Sequence, residues 1–172
     1  MVKIYIDFDG VIMDTSPHLF DIWSKIPFNE KLSENTKIKY MKLKRWMDIL
    51  NQAKVINDSI NELKNMDTSN TTILTKVHSL ENEGVSKIGF LRDKGIRQNI
   101  IIVPYYCKKT DIVDAYGNIL VDDCVKNLDE WKSMHGIPIF FNKDDLDNDE
   151  WKNVNTEYPK IKTLKSLSTK LY

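Results

Sequence analysis

The sequence has no surplus of charge: 25 Lys+Arg meet 25 Asp+Glu, for a formal net charge of +0. No global field can hold the chain to nucleic acid or to an anionic membrane, so any such affinity has to be local. Cysteine is nearly absent. Cys107 and Cys124 each follow a predicted strand, neither has a neighbour at zinc-ligand spacing, and His18, His78 and His135 form no ligand pattern. There is no long apolar run, the mean hydropathy is -0.42, and the first residues already belong to a predicted strand. Neither a membrane span nor a targeting peptide is therefore expected, and a reducing cytoplasmic setting is. Glycine and proline are scarce, and neither occurs between positions 28 and 83, which suits helices joined by short polar turns. No internal repeat or low-complexity tract is present. At 172 residues, the chain is one domain with room for a small insert.

What is present is concentrated first in residues 3–15, KIYIDFDGVIMDT. Ile4, Tyr5, Ile6 and Phe8 form a short apolar run with β-propensity, as in a central strand of a parallel sheet. That strand ends in Asp7 and Asp9, one residue apart, and then Gly10. Carboxylates are costly to bury, and two this close repel each other. A cation, hydrogen bonds or solvent must compensate at the carboxyl end of the strand, where open α/β sheets place their ligands.

Ser16-Pro17 predicts a helix start, with Ser as N-cap and Pro at the first helical position. Leu19, Phe20, Trp23 and Ile26 then recur at helical spacing up to Pro27. Leu43, Met47 and Leu50, then Trp46, Leu50 and Ala53, then Ile56, Ile60 and Leu63 continue the apolar stripes. Residues 16–70 therefore read as a small all-helical insert. Strands and helices alternate after it: TTILT at 71–75, a helix at 80–94 with a turn at Gly95, NIIIVPY at 99–105 and a short helix at 109–115. A turn at Gly117-Asn118 leads to NILVDD at 118–123, a helix to Met134 and IPIFF at 137–141. An acidic loop at 144–150 and a closing helix carrying Leu164, Leu167 and Leu171 complete the chain. The pattern predicts an α/β fold, a mostly parallel five-stranded sheet with right-handed crossovers between two helical layers. Residues 1–15 and 71–172 form its core, and 16–70 the insert.

Parallel strands bring Asp7 and Asp9, Thr75, and Asp122 and Asp123 to one edge of that sheet, with Lys108 and Lys109 shortly after a fourth strand. Two carboxylate clusters from separate strands make a hard, oxygen-rich site suited to Mg²⁺, which completes its shell with water and substrate phosphate. A lysine and a threonine hydroxyl nearby can hold the other anionic oxygens of that phosphate. Each piece has a plainer reading. Asp122 and Asp123 could cap the following helix, and Thr75 could be an ordinary β-branched strand end. Lys109 is preferred over Lys108 for its distance to Asp122 and its place at a helix start, where anions bind. Asp7 and Asp9 do not open a calcium loop, because Gly10 comes too early and a strand precedes them. Asp145, Asp147 and Asp149 are spaced like one, but Glu150 stands where glycine is needed, so that loop reads as solvated.

In order, these pieces resemble the haloacid dehalogenase (HAD) superfamily over nearly the whole chain. Asp7-Phe8-Asp9-Gly10-Val11 resembles its first motif, Ile73-Leu74-Thr75 the second, Lys109 the third, and Leu120-Val121-Asp122-Asp123 the fourth. The insert falls where that superfamily's small helical cap belongs. The resemblance implies a three-layer HAD-like Rossmannoid core and a Mg²⁺-dependent phosphomonoesterase. Asp7 would be the nucleophile that forms an aspartyl-phosphate, and Asp9 the acid and then the base. Thr75 and Lys109 would stabilise the transferring phosphoryl group. Asp7, Asp9 through its backbone carbonyl, Asp122 and Asp123 would hold the metal. Asp9 also favours phosphate chemistry over dehalogenation, since the dehalogenase branch uses no second aspartate there as an acid.

Within the superfamily, ILVDDCVKNLDEW at 119–131, the following Gly136 and the size of the insert resemble the 5′(3′)-deoxyribonucleotidases. This implies a small phosphorylated substrate, a nucleoside monophosphate, its base held by cap aromatics; the candidates here are Trp23, Phe28, Tyr40 and Trp46. The stretch KIKYMKLKR at 37–45 holds five basic residues and no acid. It reads first as the wet face of an amphipathic helix, and second as a local attraction for a nucleotide phosphate or a nucleic-acid strand. Two rivals follow: a phosphatase for nucleic-acid 3′ ends, and a non-catalytic binding module of the same fold.

Overall fold

The computed structural model describes residues 1–24, 38–39, 41–42, 44–143 and 157–167. Phe28, Tyr40, the loop at 144–150 and Leu171 lie outside the described residues. In chain order the strands are β1 (Ile4–Ile6), β2 (Met13–Asp14), β3 (Lys54–Val55), β4 (Thr71–Val77), β5 (Asn99–Pro104), β6 (Ile119–Asp122), β7 (Ile137–Phe141) and β8 (Lys160–Ile161). Six of them form one sheet in the order β5-β4-β1-β6-β7-β8, and every pairing in it is parallel. β1 is wholly buried at the centre, as its apolar run predicts. The sheet has one strand more than expected. β8 is only two residues long, too short to show a period, and forms by docking on β7, where Phe140 donates to the Pro159 carbonyl and Asn142 to that of Ile161.

The helices are α1 (Ser16–Ser24), α2 (Trp46–Gln52), α3 (Ser59–Lys64), α4 (Val85–Asp93) and α5 (Val125–Ser133). Alternate residues of the strands face opposite layers. Ile4, Ile6 and Ile73 pack with Leu50 of α2, Ile60 and Leu63 of α3, and Phe90 and Leu91 of α4. Tyr5, Leu74 and Leu120 pack with Leu128 and Trp131 of α5. The result is the predicted α/β/α sandwich. Leu164 and Leu167 are buried in the first of these cores, as their spacing predicts. Among the described residues, no helix is long and apolar enough to cross a membrane.

Several boundaries differ from expectation. The insert is not all-helical, since Lys54–Val55 pairs antiparallel with Met13–Asp14. Its later half is committed to the main core through Leu50, Ile56, Ile60 and Leu63. α1 takes Ser16 into the helix, and the carbonyl of Thr15 accepts from His18 and Leu19, so Thr15 holds the cap position expected of Ser16. β4 runs past Thr75 to Val77 because β5 continues to pair with it there. A π-helical turn, Leu80–Gly84, precedes α4, with the Ser79 hydroxyl accepting from the Asn82 amide. The short helix expected at 109–115 is a single 3-10 turn, Lys109–Asp111. It stops because Asp111 and Asp114 turn their side chains back on the backbone, accepting from the amides of Lys108 and Tyr116.

Candidate active site

Register sets the site. Ile6 lies level with Ile73 of β4 and Val121 of β6, so the chain leaves β1 at Asp7 beside Asp122, with Thr75 one residue further along. Asp7 and Asp122 are buried, and one cation joins them: Lys109 Nζ donates to Asp7 Oδ1 and to Asp122 Oδ2, 2.6 Å each. Lys109 is itself buried, carried inward by the 3-10 turn after β5. Lys108 is exposed. Asp122 also accepts from the Cys124 amide at 2.8 Å and from Asn127 Nδ2 at 3.0 Å. Asn127, on the first turn of α5, was not singled out in the sequence.

Asp123 lies against Gly10. A Cβ at position 10 would stand 1.9 Å from Asp123 Oδ2, and Gly10 has φ +76. The glycine is required twice, once for its left-handed backbone and once to admit the carboxylate. The turn it opens folds the chain back on itself, the Gly10 amide donating to the Met13 carbonyl and the Met13 amide to that of Phe8. Asp9 leaves the cluster and is held by other donors: Thr15 Oγ1 at 2.8 Å on Oδ1 and Lys87 Nζ at 2.5 Å on Oδ2.

Lys87 is a second residue that sequence reasoning missed. It is 0% exposed and also meets Glu83 Oε1 at 2.8 Å, the Lys76 carbonyl at 3.2 Å and Thr75 Oγ1 at 3.3 Å. A signal was available. Lys87 stands three residues before Phe90 and four before Leu91, on the apolar stripe of its helix, where an unpaired lysine does not belong. Thr75 is fully buried, its hydroxyl shared between Lys87 and the Lys76 carbonyl.

Asp7, Asp122 and Asp123 offer oxygens that all lie within 4.8 Å of one another, and among the described residues Lys109 is the cation bonded to them. Burial pushes the Asp7 carboxyl up to about 7, with Asp122 and Asp9 adding to the rise and Lys109 opposing it. Burial and the charges of Asp122, Asp7 and Asp9 push Asp123 well above the usual carboxylate range. Lys109 and Lys87 are held above the usual lysine value by their carboxylates, which outweigh the effect of burial. Among the described residues the cluster is short of positive charge, and hard carboxylate oxygens, with water and phosphate completing the shell, suit Mg²⁺. The residues therefore fit a divalent cation. The Asp9 side chain is not part of this cluster, so only the backbone of Asp9 is left to serve a metal.

The surplus of negative charge has a measurable consequence. The folded pKa values of Asp7 and Asp123 exceed their unfolded values, so the folded state binds more protons from about pH 4 to pH 7, and stability falls as pH rises through that window. The raised lysine values act only at strongly alkaline pH. In EDTA, Tm is expected to drop from pH 5 to pH 7.5, and Mg²⁺ should restore several degrees at the higher pH and little at the lower. An equal Mg²⁺ effect at both pH values, in differential scanning calorimetry, would contradict this.

No family model and no curated protein matches the sequence. Among solved structures, the chain is similar to a HAD phosphatase from Thermococcus onnurineus, at 15% identity over 98% of this chain and 97% of the other, with a TM-score of 0.59. It is similar to a hydrolase from Pseudomonas syringae at 11% identity over 100% of both chains, TM-score 0.64. A HAD-hydrolase from Bacillus subtilis bound to magnesium aligns at 13% identity over 98% and 97%, TM-score 0.58. At these identities the likeness is one of fold, and the fold is that of the HAD-type hydrolases.

Proposed function

We propose that this HAD-fold chain is a Mg²⁺-dependent phosphomonoesterase that works through an aspartyl-phosphate on Asp7. One observation carries the reading: two aspartates one residue apart are sorted to different partners, Asp7 to Lys109 and the acidic cluster, Asp9 to Thr15 and Lys87. A nucleophile must stand at the metal-binding carboxylates where the phosphoryl group is held, whereas an acid must stand off that cluster with an oxygen able to exchange a proton, and the lysine beside Asp9 is balanced by Glu83. In the forward step an Asp7 oxygen forms a bond to phosphorus as the ester oxygen leaves with its electron pair and takes a proton from Asp9. In the second step Asp9 removes a proton from water, whose oxygen displaces Asp7. Lys109 and Thr75 meet the phosphoryl oxygens. Bound Mg²⁺, held by Asp7, Asp122, Asp123 and the Asp9 carbonyl, would neutralise developing charge on those oxygens.

For the substrate we propose a nucleoside monophosphate, on the resemblance of residues 119–131 and on an aromatic surface near the site. His78 and Tyr105, just past β4 and β5, stack at 5.5 Å and 15°, and Tyr106, 75% exposed, stands edge-on to Tyr105. Trp46 is withdrawn from the candidates that were to hold the base: it is 1% exposed and donates to the Met41 carbonyl at 3.1 Å. We keep residues 16–70 as the segment that bounds the site, since only β2 and Thr15 separate α1 from the loop that carries Asp7 and Asp9. A reducing cytoplasmic setting agrees with two unpaired cysteines. Among the described residues at 37–45, Ile38 and Met41 are buried while Lys39 and Lys42 are exposed. That favours the wet helix face over a nucleic-acid track.

The test is a panel of phosphate esters with and without Mg²⁺. Deoxynucleoside monophosphates are expected to turn over only with the metal. Turnover of sugar phosphates alone would overturn the nucleotide assignment, and a preference for a 3′-phosphorylated oligonucleotide would replace it with end-processing. No turnover of any ester would leave the non-catalytic rival standing.

A further inference from the structure

We infer that Lys87 is a positioning residue for proton transfer, holding the Asp9 carboxylate turned away from the Asp7–Asp122–Asp123 cluster. The inference rests on the phosphatase reading and extends it to a residue outside the four motifs. A lysine ammonium has three protons to donate, and Lys87 spreads them over Asp9, Glu83, the Lys76 carbonyl and Thr75. Its Nζ lies 5.2 Å from the Phe8 ring centroid and 5.3 Å from that of Trp46, which closes the site around it.

Glu83 explains why this is orientation more than field. It is 2% exposed, bonded to Lys87 and held in turn by the His78 amide at 2.8 Å. The π-turn places it one helical turn before Lys87, and its charge balances the lysine within a buried pair. A purely structural lysine would be satisfied there, by Glu83 and the Lys76 carbonyl. Two contacts reach the reacting edge, a long one to Thr75 at 3.3 Å and the ion pair with Asp9, whose side chain is 32% exposed and which is the shorter of the two at 2.5 Å. With Thr15 on the other oxygen, both Asp9 oxygens are tethered. Each keeps a lone pair to carry a proton. Loss of the Lys87 tether leaves Asp9 free to rotate, and misplacing a catalytic group by about 1 Å costs ~10²-fold in rate.

The leaving group separates this role from a structural one. An alkoxide needs the Asp9 proton as it departs, whereas 2,4-dinitrophenolate departs without one. kcat/KM reports the steps up to that departure. Lys87→Met is expected to lower kcat/KM about 10²-fold for a nucleoside monophosphate and less than about threefold for 2,4-dinitrophenyl phosphate, with KM little changed. Loading of the phosphoryl mimic BeF₃⁻ on Asp7, followed by ¹⁹F NMR with Mg²⁺, should persist, because it needs no proton. Should the single variant fail to fold because Glu83 is left unbalanced, Glu83→Gln/Lys87→Met removes both charges and should show the same split. Equal losses on the two esters, or no loss on either, would overturn the inference while wild-type turnover kept the phosphatase reading intact. If wild-type protein cleaves neither ester and takes no BeF₃⁻, the phosphatase reading itself falls, and the inference with it.

Discussion

Asp7→Asn is expected to abolish hydrolysis of every phosphate ester the protein cleaves, by at least ~10⁴-fold in kcat, with Tm in EDTA at pH 7.5 unchanged or raised. The two halves have one cause. The amide that replaces the carboxylate keeps an oxygen to accept from Lys109, which now lies 2.6 Å from Asp7 Oδ1, so the turn carrying that lysine stays in place. What disappears is a buried carboxylate whose pKa is already pushed to about 7 by burial and by Asp122 and Asp9. Removing it relieves repulsion at neutral pH and takes away the atom that attacks phosphorus. The BeF₃⁻ signal should vanish in Asp7→Asn and survive in Asp9→Asn, whose loss is confined to proton transfer. Full activity in Asp7→Asn would falsify the nucleophile assignment, and loss of the signal in Asp9→Asn alone would reverse the two roles.

The same electrostatics explain what could be read from the chain and what could not. Asp7, Asp9, Asp122 and Asp123 were visible because carboxylates at the end of apolar strands contradict their surroundings, and the period of the strands assigns them to one edge. Thr75 and Lys109 carry no such contradiction, and only their order in the chain pointed to them. Side-chain direction was the part that stayed hidden. Strand spacing cannot say that Asp9 meets Thr15 and Lys87 while Asp7 meets Lys109; residues two apart on one strand would share a face, and their separate partners come from elements distant in the chain. Lys87 was passed over because lysine on a helix is ordinarily solvated, and its partner Glu83 falls in a π-turn, which shifts the helical phase that a 3.6-residue period assumes. β8 and the β2–β3 pair escaped for a simpler reason. Two-residue strands are made by their tertiary partners and have no pattern of their own.

Lys109→Met should be the most destabilising change at the site and Lys108→Met almost silent, although the two lysines are neighbours. Lys109 is 2% exposed and is shared by two buried carboxylates; its removal leaves Asp7 and Asp122 facing each other beside Asp123 with no cation. Breaking a buried ion pair from one side costs about 3–5 kcal/mol, which for a chain of this size is on the order of 10 °C in Tm. Lys108 is exposed, and its substitution should stay within about 0.5 kcal/mol. The cost of Lys109→Met should be largest near pH 7.5 in EDTA and shrink toward pH 5, as the stranded carboxylates take up protons. Saturating Mg²⁺ should recover part of it, because a cation in the cluster supplies the missing charge. Turnover should still fall by ~10²–10³-fold with the metal present, since the phosphoryl oxygens lose a fixed donor. Thermal melts and kcat for both variants at two pH values, with and without Mg²⁺, decide the matter. Equal destabilisation by the two substitutions, or a Lys109→Met penalty indifferent to pH and metal, would mean that Lys109 is not the charge on which this carboxylate cluster depends.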